Sequence, residues 1–270
     1  MVENNKDESV VKPSKKKLVL LDVFETCRKR GDYTFDNALV KKIAEKHKFQ
    51  NPFDATKIDN SSALPDEMQK AGYCVVHLGR GKHKFVKSIR HAFHAFENIE
   101  ESNKISWPYR KSALNEVDSS ESNILSIGFN QRIMHDFLYE DIVANPKIYA
   151  ARRTKITDSY KIGNEIIELD QVQVEIDMTI EYLGNVTLFE DKNKFPKDFF
   201  VCQLFHPFLH FQQLKKKGKI AIDEINCCYL LRKIEKGNSL IRLYLYSFAN
   251  AKTISSLYLK KCAEYRLVKR

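Results

Sequence analysis

The chemistry-bearing residues of this chain lie in two short stretches. Gln173-Val174-Glu175-Ile176-Asp177 is followed, after a short turn, by Val186-Thr187-Leu188-Phe189-Glu190-Asp191-Lys192. Asp177 and Glu190 offer the hard oxygen ligands that Mg²⁺ takes, one or two carboxylates with water and phosphate completing the shell. A bound divalent ion activates water and stabilises charge on a scissile phosphate. Lys192 stands two residues beyond Glu190, where it can donate to that phosphate or position the water. Glu175 either supports these ligands or serves a second ion. The set suits phosphodiester hydrolysis. A surface hairpin can also carry such Glu and Lys pairs. Here, however, they interrupt strands otherwise filled by Val, Ile, Leu and Phe.

The two stretches read as a β-hairpin. Side chains alternate faces along a strand, so Glu175 and Asp177 share one face, as do Glu190 and Lys192. With Gly184-Asn185 as a two-residue loop, Asp177 falls opposite Lys192 and the faces coincide. Any loop of even length preserves that result.

The surrounding chain must hold this hairpin. Residues 1–16, ending in Lys-Pro-Ser-Lys-Lys-Lys, have the composition of a flexible basic tail. Residues 17–90 read as a small helical module. Leu18, Leu21, Val23 and Phe24 form the stripe of a helix ended by Gly31, and Leu39, Val40, Ile43 and Ala44 that of a second. A short helix over 66–71 precedes a strand, the basic turn Gly79-Arg80-Gly81-Lys82-His83 and a returning strand. That order is winged-helix-like. Its DNA-contacting candidates are Arg80, Lys82, His83 and Lys84, joined by Arg152, Arg153 and Lys155 further on. The turn lacks the Gly-x-x-x-x-Gly-Lys-Ser/Thr pattern of a phosphate loop.

Residues 88–150 read as mostly helical, broken at Trp107-Pro108 and again at Gly128. Glu121 either caps a helix there or points into a metal site. Short strands follow from 152 to 180. An aromatic helix kinked at Pro207 comes next, then strands over 220–232 and 240–248 and a terminal strand. His206 and His210, four apart among Phe and Leu, read as core or edge positions rather than zinc ligands.

The 270 residues are 43% hydrophobic, enough to bury a sizeable core, and the formal charge is +10. Such a balance points to an anionic partner, nucleic acid above all. Residues 1–90 carry 19 Lys/Arg against 12 Asp/Glu, so most of the excess is in the N-terminal third. The six cysteines lack Cys-x-x-Cys spacing and read as reduced, mostly buried thiols. With a polar N-terminus and no apolar run long enough for a membrane span, the cytoplasm is the expected location.

Three segments together resemble type II restriction endonucleases built on the PD-(D/E)xK nuclease core. They are Val-Gln-Val-Glu-Ile-Asp, Leu-Phe-Glu-Asp-Lys-Asn and Asp198-Phe199-Phe200-x-x-Gln203-Leu204-Phe205-x-Pro207-Phe208, and the likeness spans roughly residues 120–268. Thr56-Lys57-Ile58-Asp59 through Leu64-Pro65 and Gly72-Tyr73 is similar to an accessory domain of some such enzymes. The resemblance implies a metal-binding role for Asp177 and Glu190 and makes Lys192 the catalytic lysine. It matches Glu121 to an acidic residue on an early core helix, and Gln203 to a glutamine supporting the site. Ile176 stands where many members have proline.

The resemblance also implies an α/β fold, a restriction-endonuclease-like core over 91–270 with a mixed central sheet flanked by helices. The implied activity is Mg²⁺-dependent, sequence-specific cleavage of double-stranded DNA, leaving 5′-phosphate and 3′-hydroxyl ends. A cognate DNA methyltransferase would act in the same system, and cutting of both strands suggests a homodimer. A structure-directed or repair nuclease on the same core, and a non-catalytic DNA-binding protein, are the competing readings.

Overall fold

Ser14, inside the expected tail, caps the first helix. The computed structural model describes residues 13–109, 121–235 and 238–269, so residues 1–12 of that tail lie outside the described residues. Helix α1 (Lys15–Arg30) starts with the Ser14 hydroxyl accepting from Lys17 N and ends at left-handed Gly31, with Arg28, Lys29 and Arg30 at its negative end. Lys15 and Lys16 donate to the carbonyls of Lys48 and Lys57, and Lys17 pairs with Asp66, so these lysines belong to the module. The buried stripe is Val19, Leu20, Val23, Phe24 and Cys27, rotated slightly from the expected Leu18 and Leu21 row.

Strand β1 (Thr34–Asp36), α2 (Asn37–Lys46), α3 (Asp66–Ala71), β2 (Cys74–Gly79) and β3 (Lys82–Val86) complete a winged-helix-like module. Its three-stranded sheet has the order β1-β3-β2. The β2–β3 wing presses on the strand that leads to Asp177. At Gly79 (φ +94°) an added Cβ would lie 1.9 Å from the Asp170 carbonyl oxygen, so only glycine fits there.

The linking region is less helical than its apolar spacing suggested. After α4 (Ile89–Ala92) come β4 (Phe93–Ala95) and β5 (Lys104–Tyr109). Along β5, half-buried Ile105, Trp107 and Tyr109 alternate with exposed Lys104, Ser106 and Pro108, the two-residue period of a strand. Pro108 is tolerated because β5 is an edge strand. Helices α5 (Glu121–Asn130) and α6 (Ile133–Tyr139) do form a pair. Their break falls at Arg132, in the left-handed region at φ +62°, and α5 runs through Gly128. The short strand β6 (Lys147–Tyr149) follows.

Strands β7 (Arg152–Ile162) and β8 (Glu165–Ile176) form a separate two-stranded ribbon. The chain then enters the central sheet through β9 (Met178–Tyr182) and β10 (Asn185–Lys192). Strand β11 (Asp198–Phe200), α7 (Cys202–Lys216), β12 (Glu224–Glu235), β13 (Asn238–Phe248) and β14 (Leu257–Lys269) complete the fold. Helix α7 runs through Pro207 to Lys216, where the sequence suggested a kink or an end. The terminal strand begins well before its expected start near Tyr265.

The protein is therefore mixed α/β. Its seven-stranded sheet has the order β5-β14-β13-β12-β10-β9-β6 and mixes parallel with antiparallel pairs. Strands β10 and β12 are parallel neighbours joined through α7, the crossover that parallel strands require. One face of the sheet, with Val186, Leu188, Cys227, Tyr229 and Tyr246, packs on Leu204, Phe205 and Phe208 of α7. The other, with Phe189, Leu230, Leu243 and Tyr265, packs on Ile124, Ile127, Ile133 and Phe137 of α5 and α6.

The α7-side core continues without a gap into the N-terminal module, through Ile156 and Leu169 of the ribbon to Val75, Phe85, Phe24 and Val19. All six cysteines are free thiols, five of them buried and Cys262 half-buried. Among the described residues no helix is long and apolar enough to cross a membrane.

His83, offered by the sequence as a DNA contact, points into this shared core. It is 4% exposed, stacks on Phe35 and hydrogen-bonds Asn37 through Nε2 at 2.8 Å. Burial lowers its pKa from 6.5 to about 3, with neighbouring His77 adding to the fall. The folded chain thus keeps this ring neutral, while the unfolded chain protonates it below 6.5. Its contribution is present above that value and is lost as pH falls toward about 3. Thermal unfolding from pH 7 to 4 is expected to show Tm falling with acid, less steeply in His83→Gln. An unchanged slope in that variant would remove His83 from the titration.

Candidate active site

Asp177 sits at the bend where the chain leaves the β7–β8 ribbon and enters the central sheet as β9. The hairpin is therefore not one continuous strand against another. Of the strands on either side of the bend, β9 and not β8 pairs with β10, and the β9–β10 loop is Leu183-Gly184, both at positive φ as a type I′ turn requires. The expected Gly184-Asn185 loop is displaced by one residue, and the register moves with it. Tyr182 pairs with Asn185 and Met178 with Phe189, so each partner moves by two residues and the pairing ends at Met178, just after Asp177. Both loops are even, so the side-chain faces are unaffected. Asp177 is anchored from β10: its N–H donates to Phe189 O (3.3 Å), and its Oδ2 accepts from Asp191 N (3.2 Å).

Glu190 is held by two donors, one of them fixed in turn by a third residue. Lys192 Nζ, on the same strand face, donates to its Oε1 at 2.6 Å, and Gln203 Nε2 on the first turn of α7 donates to that oxygen at 2.8 Å. Tyr229, directly paired with Glu190 across β10 and β12, donates its hydroxyl to Gln203 Oε1 at 3.1 Å. The side chains of Glu190 and Lys192 are only 13% and 12% exposed. Burial pushes the Glu190 carboxyl up to about 8; Lys192 opposes the rise, and the negative charges of Asp177 and Asp59 add to it.

A crowded carboxylate pair in low dielectric is a poor arrangement without a compensating cation. Two hard oxygen donors of this kind fit Mg²⁺, which keeps several waters and needs only one or two carboxylates. Among the described residues, no group of three or more His, Cys, Asp or Glu forms a metal cage. The fit is to a partly hydrated ion.

These groups lie in a cleft of about 740 Å³ between the module and the core. Arg80 and Lys82 from the wing and Lys155 from the ribbon line the same cleft as Asp177, Glu190, Lys192 and Gln203. Lys82 and Lys155 are exposed, and Arg80 pairs with Asp170 at 2.6 Å while keeping its side chain 67% exposed.

Other sequence candidates are placed differently. Lys84 is bound to Glu165 at 2.8 Å and ties the wing to the ribbon. Arg152 contacts His210 and the ring of Phe211. Arg153 pairs with Glu175, which also accepts from Gln173. Glu175 lines the cleft but is bound within the ribbon. Glu121 opens α5, and its side chain lies outside the described residues.

Sequence reasoning missed two participants. Tyr229 sits in an apolar strand run with no local signal for a role at the site. Asp59 lies in a loop of the module, 144 positions from Gln203, whose Nε2 it approaches at 3.4 Å. No spacing pattern in the chain connects them.

Residues 88–266 match a family model described as a domain of unknown function (DUF6997), and residues 16–85 match another described as a domain of unknown function (DUF6996). No curated protein and no solved structure matches the chain.

The crowding of carboxylates has a measurable consequence. Glu190→Gln keeps an acceptor for Lys192 and Gln203 but removes the buried charge. In chelator, above the pH of about 8 at which the wild-type carboxyl ionises, the variant is expected to melt a few degrees higher. A lower Tm there would show that the carboxylate is not under electrostatic strain.

Proposed function

The chain belongs to the DUF6997 family, and we propose that it is a Mg²⁺-dependent endonuclease that hydrolyses phosphodiester bonds of double-stranded DNA. The observation that carries this reading is the meeting of Asp177, Glu190 and Lys192 in a cleft whose walls also carry Arg80, Lys82 and Lys155. Cationic walls neutralise phosphates and supply sequence-independent affinity, and the overall charge of +10 agrees with an anionic substrate.

Asp177 and Glu190 would hold the ion. When bound, Mg²⁺ lowers the pKa of an attacking water and neutralises charge on the phosphate. The rest of the chemistry belongs to the chain. Lys192 holds a buried positive charge beside Glu190, where it can meet the charge growing on the phosphate oxygens. Gln203, fixed by Tyr229, keeps the Glu190 carboxylate in place. In the hydrolysis proposed, the bond from phosphorus to the 3′ oxygen breaks. The water oxygen stays on the 5′-phosphate, and the departing 3′ oxygen takes up a proton.

The finer assignment, a type II restriction endonuclease acting as a homodimer beside a cognate methyltransferase, is supported by the resemblance of the Glu-Asp-Lys and Gln-Leu-Phe segments. The proposal is tested with purified protein, unmethylated duplex DNA and Mg²⁺. Discrete fragments with 5′-phosphate ends are expected. Asp177→Ala and Lys192→Ala should each slow cleavage on the order of 100-fold or more while retaining duplex binding in a gel-shift assay. Cutting confined to branched or damaged DNA would favour a repair nuclease, and binding without cutting would favour a DNA-binding protein. Full turnover in either variant would remove that residue from the site.

A further inference from the structure

The side-chain amide of Gln203 is satisfied on every side by groups of known polarity. An amide nitrogen offers two donors and its oxygen accepts. Gln203 Nε2 donates to Glu190 Oε1 at 2.8 Å and approaches Asp59 Oδ1 at 3.4 Å, while its Oε1 accepts from the Tyr229 hydroxyl at 3.1 Å. Carboxylates on one side and a hydroxyl on the other dictate which way the amide faces. Reversing it would aim its oxygen at two acceptor oxygens, Glu190 Oε1 and Asp59 Oδ1.

Asp59 is delivered to this position by rigid backbone. Phe200 N donates to Asp59 O at 2.8 Å. Two residues on, Ser61 N donates to Asp198 Oδ1 at 2.7 Å, and the Ser61 hydroxyl binds the other oxygen of that carboxylate. Asp198 and Phe200 belong to β11, which leads directly into the first turn of α7, where Gln203 sits. The module loop and the start of α7 are thus clamped as one piece, and Asp59 lines the cleft with Gln203 and Glu190.

We infer that Asp59 is a positioning residue contributed by the N-terminal module: it fixes the Gln203 amide, and through it the Glu190 carboxylate, so the core's active site is complete only with the module attached. The inference rests on the nuclease reading for its kinetic consequence, but not for the contact itself.

The test uses the full chain and the variants Asp59→Ala, Asp59→Asn, Gln203→Ala and the double variant Asp59→Ala/Gln203→Ala, with thermal unfolding as the check on folding. Selective ¹⁵N-glutamine labelling reads the Gln203 side-chain amide by NMR, assigned from its loss in Gln203→Ala. Its resonances should move in Asp59→Ala and return toward wild type in Asp59→Asn, which keeps an acceptor. In cleavage assays, Asp59→Ala should lower kcat about 10–100-fold, the range for groups that orient a site residue, with KM for duplex little changed. Asp59→Asn should recover most of that rate. The double variant should be no slower than Gln203→Ala alone, because the two residues act through one contact.

An unmoved amide signal, a change confined to KM, or losses that multiply in the double variant would each overturn the inference. If the wild type cuts no DNA, the nuclease reading falls, and the NMR result alone decides whether Asp59 positions Gln203.

Discussion

A carboxylate buried beside another carboxylate is the constraint around which this protein is arranged. Glu190 follows the buried run 186–189 on β10, where removing charge from water is expensive unless it is paired and hydrogen-bonded. Lys192 follows on the same strand face and supplies the opposite charge. Gln203 supplies a neutral donor that cannot be lost to titration, and Tyr229 holds Gln203 in turn. Strand β10, helix α7 and strand β12 therefore owe part of their mutual placement to one oxygen atom. The parallel β10–α7–β12 unit is the natural scaffold for this, because the crossover helix begins just past the strand end that carries Glu190 and Lys192.

Asp177 reaches that centre because the chain changes sheets there. A strand continuing straight from β8 would have carried it away with the ribbon. The bend lets the residue donate to Phe189 O and accept from Asp191 N, which points its carboxylate toward Glu190. The same bend leaves the β7–β8 ribbon free to lie against the N-terminal wing, with Gly79 packed on Asp170. Ribbon and wing thus form the walls of a cleft whose floor carries the carboxylates. The module is built into the core rather than attached to it. Its helices share one hydrophobic cluster with the sheet, and its 57–61 loop is hydrogen-bonded to β11. Such a continuous interior resists relative movement of the two parts.

The sequence was legible where a local period or a terminus signal governs. Gly31 stops α1, Asp36 caps α2, and alternation in the Glu190-x-Lys192 pair assigns their shared face correctly. It misled where two local signals competed. The Ser14 cap lies inside a lysine-rich stretch that reads as tail, and Trp107-Pro108 reads as a helix break though it belongs to an edge strand. The wing shows the limit of composition most clearly. Lys82 and His83 are adjacent in a basic turn, yet the two-residue period sends the first outward and the second into the core. A shift of one residue in the hairpin loop likewise changed the partners across β9 and β10 without changing the faces, because side-chain direction depends on parity and partner identity on register.

The sequence by itself determined the residue types of the site, the shared face of Glu190 and Lys192 and the helical module before it. These follow from interactions within a few residues along the chain. Tertiary structure alone decided that Asp177 turns toward Glu190, that Tyr229 and Asp59 converge on Gln203, that His83 is buried, and that the wing and the ribbon face the carboxylates across one cleft. Asp59 and Gln203 stand 144 residues apart, and their meeting depends on how a module loop and a sheet strand pack, a relation that no local pattern encodes.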